Sequence, residues 1–264
     1  MHCDVQELKT FYYRRRLGRA AKAALVEQIT HIWPDVSNET LVGFGFSVPV
    51  LRPFLKQARR TVALMPGPQG VMRWPPGQEN ISVLCQETLW PMADGMADRL
   101  IILHGLEGSE HPAALLSEAY RVLSDTGRAI LVVPHRGGLW ARRDVTPFGI
   151  GRPYSAGQID GLLYDHGFLT RRHAAALFQP PSEKTLWIRT GRVAEKIGQK
   201  LSGSFAGGVL IIEFAKEMPP RPNLSLRAAM RRPLRILDGI PVPDPKPASA
   251  RQNRVKPTPK LKVL

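Results

Sequence analysis

The chain has 264 residues, with 37 Lys+Arg against 22 Asp+Glu and a formal charge of +15. Its apolar share of 43% and charged share of 22% are near globular averages, which excludes wholesale disorder. It has no run of about 18 apolar residues to span a membrane as a helix, no basic-then-apolar signal layout, and only Cys3 and Cys85 as thiols with no CxxC, so a cytoplasmic protein with reduced cysteines is expected.

Leu8–His31 is rich in Ala, Leu and Arg. Leu17, Ala20, Ala21, Ala24, Leu25 and Gln28 recur at helical spacing, which predicts one amphipathic helix ending near Trp33-Pro34. Thr40-Leu41-Val42 runs as a strand into Gly43-Phe44-Gly45-Phe46-Ser47, and Val48–Ala58 reads as the helix that follows. Thr61–Met65 and Ile81–Cys85 are short apolar strands. Arg99–Leu103 is a continuous apolar run, as in a strand buried on both faces of a parallel sheet. Pro112–Leu123 is a helix closed by Asp125-Thr126-Gly127, and Arg128–Pro134 a further buried strand. Ser155–His166 is a helix with Ser155 as N-cap and Gly167 as its stop. Thr185–Leu201 reads as helix and Gly208–Ala215 as strand. Strands alternating with helices predict an α/β fold with a mainly parallel sheet.

The charge is uneven. Residues 221–264 hold 11 Lys+Arg and two acids, Asp238 and Asp244, with eight prolines. Proline at this density blocks helices and sheet ladders, so 219–264 is expected to be a largely disordered basic tail. It is either a solvated segment or a surface attracting an anionic partner such as RNA, acidic protein or lipid headgroups. It carries no aromatic residue to stack on a base.

The strand–Gly-x-Gly–helix unit at 40–58 is the most informative local feature. Ligands of open α/β sheets bind at the carboxyl ends of the strands, where glycine lets the backbone come close. The third glycine of a dinucleotide fingerprint is absent, because Ser47 stands there. There is also no phosphate loop, no His-Glu-x-x-His and no Gly-x-Ser-x-Gly, and the histidines are not at metal-ligand spacing.

Two longer segments say more. One runs from Gln86-Glu87-Thr88-Leu89-Trp90-Pro91 through Asp98-Arg99 and the strand to His104-Gly105-Leu106-Glu107. The other is Leu115-Leu116-Ser117-Glu118-Ala119-Tyr120-Arg121-Val122-Leu123, continuing through Gly127 to Val132-Val133-Pro134. In order and spacing the chain resembles class I S-adenosylmethionine-dependent methyltransferases of the "type 11" style. The match runs from about residue 38 to 170, and Gly208–Lys216 looks like the family's final antiparallel strand. The resemblance implies a Rossmann-like α/β fold, with a mostly parallel seven-stranded sheet and an antiparallel final strand. It also implies three regions: an N-terminal helical segment (1–34), a methyltransferase-like domain (35–218) and the tail (219–264).

The resemblance further implies S-adenosyl-L-methionine as cofactor, held by Gly43, Phe44, Gly45, Met65, Pro66, Gln86, Glu87, His104 and Gly105. Gly43 and Gly45 match the glycines under the methionine part. Gln86 stands where the family has an Asp that accepts from the adenine amino group, and a Gln carbonyl accepts that bond too. Transfer is an SN2 step for which the protein supplies orientation and water exclusion. His104 is the candidate base, since imidazole titrates near neutrality. His135, Tyr154 and His111 read as loop residues. Trp140 and Phe148 are candidate walls of the acceptor pocket, Arg152–Ser155 opens the helix bordering it, and Arg14-Arg15-Arg16 lies on a helix that covers the cofactor or faces solvent.

The motif is degenerate in two places. Leu41 replaces the family's Asp before the first glycine, and Met65-Pro66-Gly67-Pro68-Gln69 lacks the carboxylate that holds the ribose hydroxyls. Such a pair of charge-assisted hydrogen bonds is worth roughly 1.5–3 kcal/mol each, and Gln69 or backbone carbonyls are the available substitutes. The expected function is therefore methyl transfer to an unidentified acceptor. The alternative is a weakened or inactive methyltransferase-like protein that binds a protein or anionic partner.

Overall fold

The computed structural model describes residues 3–142, 144–184 and 207–217. The described residues belong to one compact unit. The helix expected over Thr185–Leu201 and the tail 219–264 lie outside the described residues. Among the described residues no helix is long and apolar enough to cross a membrane.

The seven strands are β1 (Thr40–Gly45), β2 (Arg60–Pro66), β3 (Ser82–Cys85), β4 (Ala97–Leu103), β5 (Leu123–Pro134), β6 (Phe168–Ala176) and β7 (Val209–Lys216). They form one sheet in the order β3-β2-β1-β4-β5-β7-β6. The first five are parallel, and β7 runs antiparallel to both β5 and β6. This is the Rossmann-like methyltransferase arrangement expected from the sequence.

Alternation along the strands divides the core in two. Leu41, Ala63, Met65, Ile101, Leu103, Ile130, Val132 and Ile211 face α1 (Val5–Arg14) and α2 (Arg16–Ile32). Val42, Phe44, Leu64, Leu100, Ile102, Leu131, Val133 and Ile212 face α4 (Pro112–Val122) and α5 (Ala156–Asp165). The central strands β1, β4, β5 and β7 are covered on both faces, which is why their cores read as unbroken apolar runs.

Three elements differ from expectation. The single N-terminal helix is two: Arg15 is extended (φ −76, ψ 142) between α1 and α2. A Cβ on Gly18 would collide with the Phe11 carbonyl, so Gly18 lets the two helices pack closely around the break. The helix expected over Val48–Ala58 is only α3 (Val48–Leu51) followed by a 3-10 turn, Arg52–Phe54. Pro53 lacks the N–H that the next helical turn needs. Strand β6 is an addition: its centre, Arg171-Arg172-His173, is exposed beside a bulge, which hides the period-two pattern. The expected Ser155 cap is present as a full capping box with Gln158, and Gly167 follows α5 at φ +76.

The connection from β3 to β4, which borders the site, is held by one arginine. Arg121 on α4 bonds both carboxylate oxygens of Glu118 (2.7 and 2.8 Å), Asp94 Oδ1 (2.7 Å) and the carbonyls of Met92 (2.7 Å) and Trp90 (3.1 Å). Arg121→Ala should cost about 2–3 kcal/mol, seen as a thermal midpoint lower by about 5–10 °C. Hydrogen bonds from Arg121 hold the Glu118 carboxyl below its usual value of 4.5. A depressed carboxyl stabilises the fold above its unfolded pKa, and that contribution fades as pH falls. The stability gap between wild type and Glu118→Gln should therefore be full at neutral pH and narrow as pH falls below 4.5, as measured by urea unfolding.

Candidate active site

The carboxyl ends of β1, β2, β3 and β4 meet at one rim, beneath α1. β4 ends at His104, whose φ of +53 is a left-handed conformation rare for a side chain of this size. That turn aims the imidazole back under α1. His104 is 5% exposed. Its Nε2 is 2.7 Å from the Tyr12 hydroxyl and its Nδ1 is 2.9 Å from Glu107 Oε1. A carboxylate only accepts, so Nδ1 carries the ring proton and the Tyr12 phenol donates to Nε2. Burial, then the nearby Glu107 charge, raises the Tyr12 pKa well above 10, which keeps the phenol protonated.

Aromatic rings close around this chain of bonds. Tyr12 stacks on Phe46 at 5.9 Å and meets Phe11 edge-on at 5.0 Å. Phe148, from the loop after β5, lies 4.6 Å from the His104 ring. On the opposite side Gln69, just past β2, donates its side-chain N–H to the His104 carbonyl at 2.8 Å. Since β1 lies between β2 and β4, this bond crosses the tip of β1.

The residues expected to hold a cofactor lie on this rim, in different surroundings. Gly43 and Gly45 are both required by the chain's own packing. A Cβ on Gly43 would strike Ser47 and Leu51 where the β1–α3 turn folds back, and Gly45 has φ +76 against the Leu103 carbonyl. Gly105 is needed beneath the Phe44 ring. The Phe44 side chain is buried on the far face, stacked on Trp90 at 4.5 Å. Met65 is wholly buried, its sulfur accepting from the Met72 N–H, and Pro66 closes β2 against Cys85. Gln86 is exposed at the end of β3. Glu87 beside it is half-buried, and its carbonyl accepts from the Trp90 indole at 3.0 Å.

Several other candidates are structural. His135 bonds the Gly207 carbonyl at 3.1 Å and bridges to Tyr154. His111 is an exposed residue at the start of α4. Trp140 is buried, donates to the Gln179 carbonyl at 2.7 Å and touches Phe148 edge-on. The Arg152 N–H caps the Glu107 carbonyl at 2.8 Å, so the segment before α5 is pinned to the tip of β4. Arg14, Arg15 and Arg16 are exposed. Tyr12 is not among the residues singled out from the sequence, and Glu107 enters there only as part of a motif. The i,i+3 spacing of His104 and Glu107 at a strand end was the available signal for their pairing.

Four buried side-chain oxygens just past β1 to β4 have no partner among the described residues: Ser47 Oγ, Gln69 Oε1, Glu87 Oε1 and Glu107 Oε2. Buried oxygens without donors are costly and scarce in folded proteins. Of these, Gln69 and Glu87 lie just past the adjacent strands β2 and β3, and a sugar diol supplies two hydroxyl donors. Acceptors so placed suit the hydroxyls of a ribose and stand near where the carboxylate after β2 is missing. On the methionine side Tyr12 and the Gln69–His104 bond lie across the same rim, so the rim as it stands does not fit that half of the cofactor.

No protein-family model and no curated protein matches the chain. Solved structures do. A methyltransferase dependent on S-adenosylmethionine from Thermotoga maritima, described as a possible histamine N-methyltransferase, aligns with 16% identity over 80% of this chain and 96% of its own, at TM-score 0.56. Another such enzyme, from Archaeoglobus fulgidus, aligns with 16% identity over 81% and 100%, at TM-score 0.54. The 1,6-didemethyltoxoflavin-N1-methyltransferase of Burkholderia thailandensis, with S-adenosylhomocysteine bound, aligns with 13% identity over 80% and 85%, at TM-score 0.51. The chain thus has the fold of class I S-adenosylmethionine-dependent methyltransferases.

Both thiols flank the site. Burial pushes Cys85, at the end of β3, up to about 12; burial followed by Glu7 does the same to Cys3, before α1. With so little thiolate, alkylation by iodoacetamide at about pH 8 should be at least ~100-fold slower for Cys85 in the native protein than for an unhindered cysteine. Peptide mass spectrometry over time measures this, with the urea-unfolded chain as the fast reference.

Proposed function

We propose that the protein is a cytoplasmic S-adenosylmethionine-dependent methyltransferase whose cofactor lies along the tips of β1 to β4. The observation that carries this is the pair of donorless buried oxygens, Gln69 Oε1 and Glu87 Oε1, on the rim of a methyltransferase fold. When bound, the cofactor supplies an electrophilic methyl group on a sulfonium. Gln69 and Glu87 accept from the ribose, Gln86 from the adenine amino group, and Met65 and Pro66 form the floor beside them. The backbone of Gly43, Phe44, Gly45, His104 and Gly105 borders the methionine part.

The protein's own groups do the rest. Gln69 releases the His104 carbonyl as the crevice opens. Glu107 fixes the Nδ1–H tautomer of His104, which leaves Nε2 with a lone pair once the Tyr12 hydroxyl withdraws. Phe46 and Phe148 keep water from the reacting atoms. The basic tail, with 11 Lys+Arg against two acids, serves to attract an anionic partner.

Titration calorimetry of the full-length protein with S-adenosylhomocysteine tests the reading. Binding is expected, and Glu87→Ala should weaken it about tenfold, the worth of one hydrogen bond. No heat at millimolar ligand excess would remove the cofactor and leave the non-catalytic, partner-binding alternative.

A further inference from the structure

We infer that an apolar groove on the β2–β3 end of the sheet docks an acidic amphipathic helix of a partner protein. The inference is independent of the methyltransferase reading. The sheet is incompletely covered at this end. α4 packs beside β5 and α5 beside β6, towards the other end of the strand order. The connections on either side of β3 supply no α-helix: the first holds only the 3-10 turn Gly67–Gln69, and residues 86–96 run in turns and bends. Helices cover both faces of a parallel sheet, so β2 and β3 lack a layer that the fold calls for.

The surface left bare is apolar and shaped. Val83, Leu84, Leu89 and Met96, all on β3 or the segment after it, are among the large apolar side chains that stay exposed. A groove of about 310 Å³ runs between Val62, Leu64 and Val83 on the strands and Pro91, Met92 and Met96 on the connection. The connection side of the groove is held in place. Arg121 bonds the carbonyls of Trp90 and Met92 and the Asp94 carboxylate, and its own carbonyl accepts from the Gly95 N–H at 2.9 Å. A wall fixed before docking costs little further ordering, and methionine side chains adapt to the apolar surface they meet.

Shape and charge select the occupant. β3 is four residues long, a short edge for pairing with another strand. The apolar lining lies on the sheet face instead, where a helix lays down residues at i, i+3, i+4 and i+7. Arg60 is the one charged residue lining the groove. It is exposed, and its guanidinium has no hydrogen-bond or ion-pair partner among the described residues. Arg59 beside it is already paired with Asp98, at 3.7 Å. A Glu or Asp flanking the apolar stripe of a helix would therefore meet Arg60. A second copy of the chain would bring its own Arg60 and a formal charge of +15 against the first, which opposes self-association through this face.

The test uses the full-length protein and two fluorescein-labelled helical peptides. Both carry leucines at i, i+3, i+4 and i+7, flanked by Glu in one and by Lys in the other. Anisotropy titrations at about 0.15 M salt screen distant charges. The Glu peptide should bind about fivefold tighter than the Lys peptide, the worth of one exposed ion pair. Arg60→Glu should cancel that preference. The double variant Val83→Ser/Met96→Ser should weaken the Glu peptide about tenfold. Both positions are exposed, so its thermal midpoint should stay that of the wild type. Failure of the Glu peptide to bind, equal binding of the two peptides, or binding unchanged by the double variant overturns the inference. Sedimentation equilibrium showing a dimer that the double variant abolishes gives the groove to a second copy and overturns it too.

Discussion

A buried imidazole has to find partners, and the rim of this sheet is arranged around that requirement. His104 sits at the tip of β4 in a left-handed conformation, with both ring nitrogens removed from water. Glu107 satisfies one nitrogen from three residues away. The other is satisfied by Tyr12, which comes from 92 residues earlier in the chain. That long-range bond seats α1 over the crevice. The same histidine's carbonyl takes the Gln69 amide, so a single residue ties together the ends of β2 and β4 and the first helix. Losing any one partner leaves a buried polar atom unpaired, the costly outcome for a hydrogen bond of modest net worth.

The closure accounts for an apparent mismatch between fold and site. The fold is that of S-adenosylmethionine-dependent methyltransferases, yet Phe46, Tyr12 and Gln69 cover the part of the rim where the methionine moiety would run. The unpaired oxygens of Gln69 and Glu87 mark the part that is not satisfied from within. Ser47 Oγ and Glu107 Oε2 are unpaired on the β1–β4 side as well. A ligand donating hydroxyls to Gln69 and Glu87 would have to compensate for the hydrogen bonds lost on opening, which would couple binding to opening.

Much of the architecture was legible in the sequence because burial on both sheet faces writes unbroken apolar runs, as at Leu100–Leu103 and Ala129–Val133. Caps were equally local, as at Ser155 before α5 and Gly167 after it. What was not legible depends on tertiary contact. The break at Arg15 is set by the close approach of Gly18 to Phe11, and β6 disguises its alternation with exposed Arg171, Arg172 and His173. Pro53 is a local marker of the short α3 that the expected helix over Val48–Ala58 overran. In the site, His104 was readable from its place after an apolar strand, and Gln69 as a substitute for a missing acid. Tyr12 was not, because nothing in the local pattern of an amphipathic helix marks which of its aromatic residues meets a histidine on β4.

The most direct measurement is the crystal structure of the full-length protein grown with S-adenosylhomocysteine. The account expects the nucleoside at the tips of β2 and β3 with its hydroxyls on Gln69 and Glu87, the Gln69 amide released from the His104 carbonyl, and Tyr12 moved off Phe46. A structure grown in saturating ligand that keeps the Gln69–His104 bond and the Tyr12–Phe46 stack intact, with no nucleoside on that rim, would contradict it.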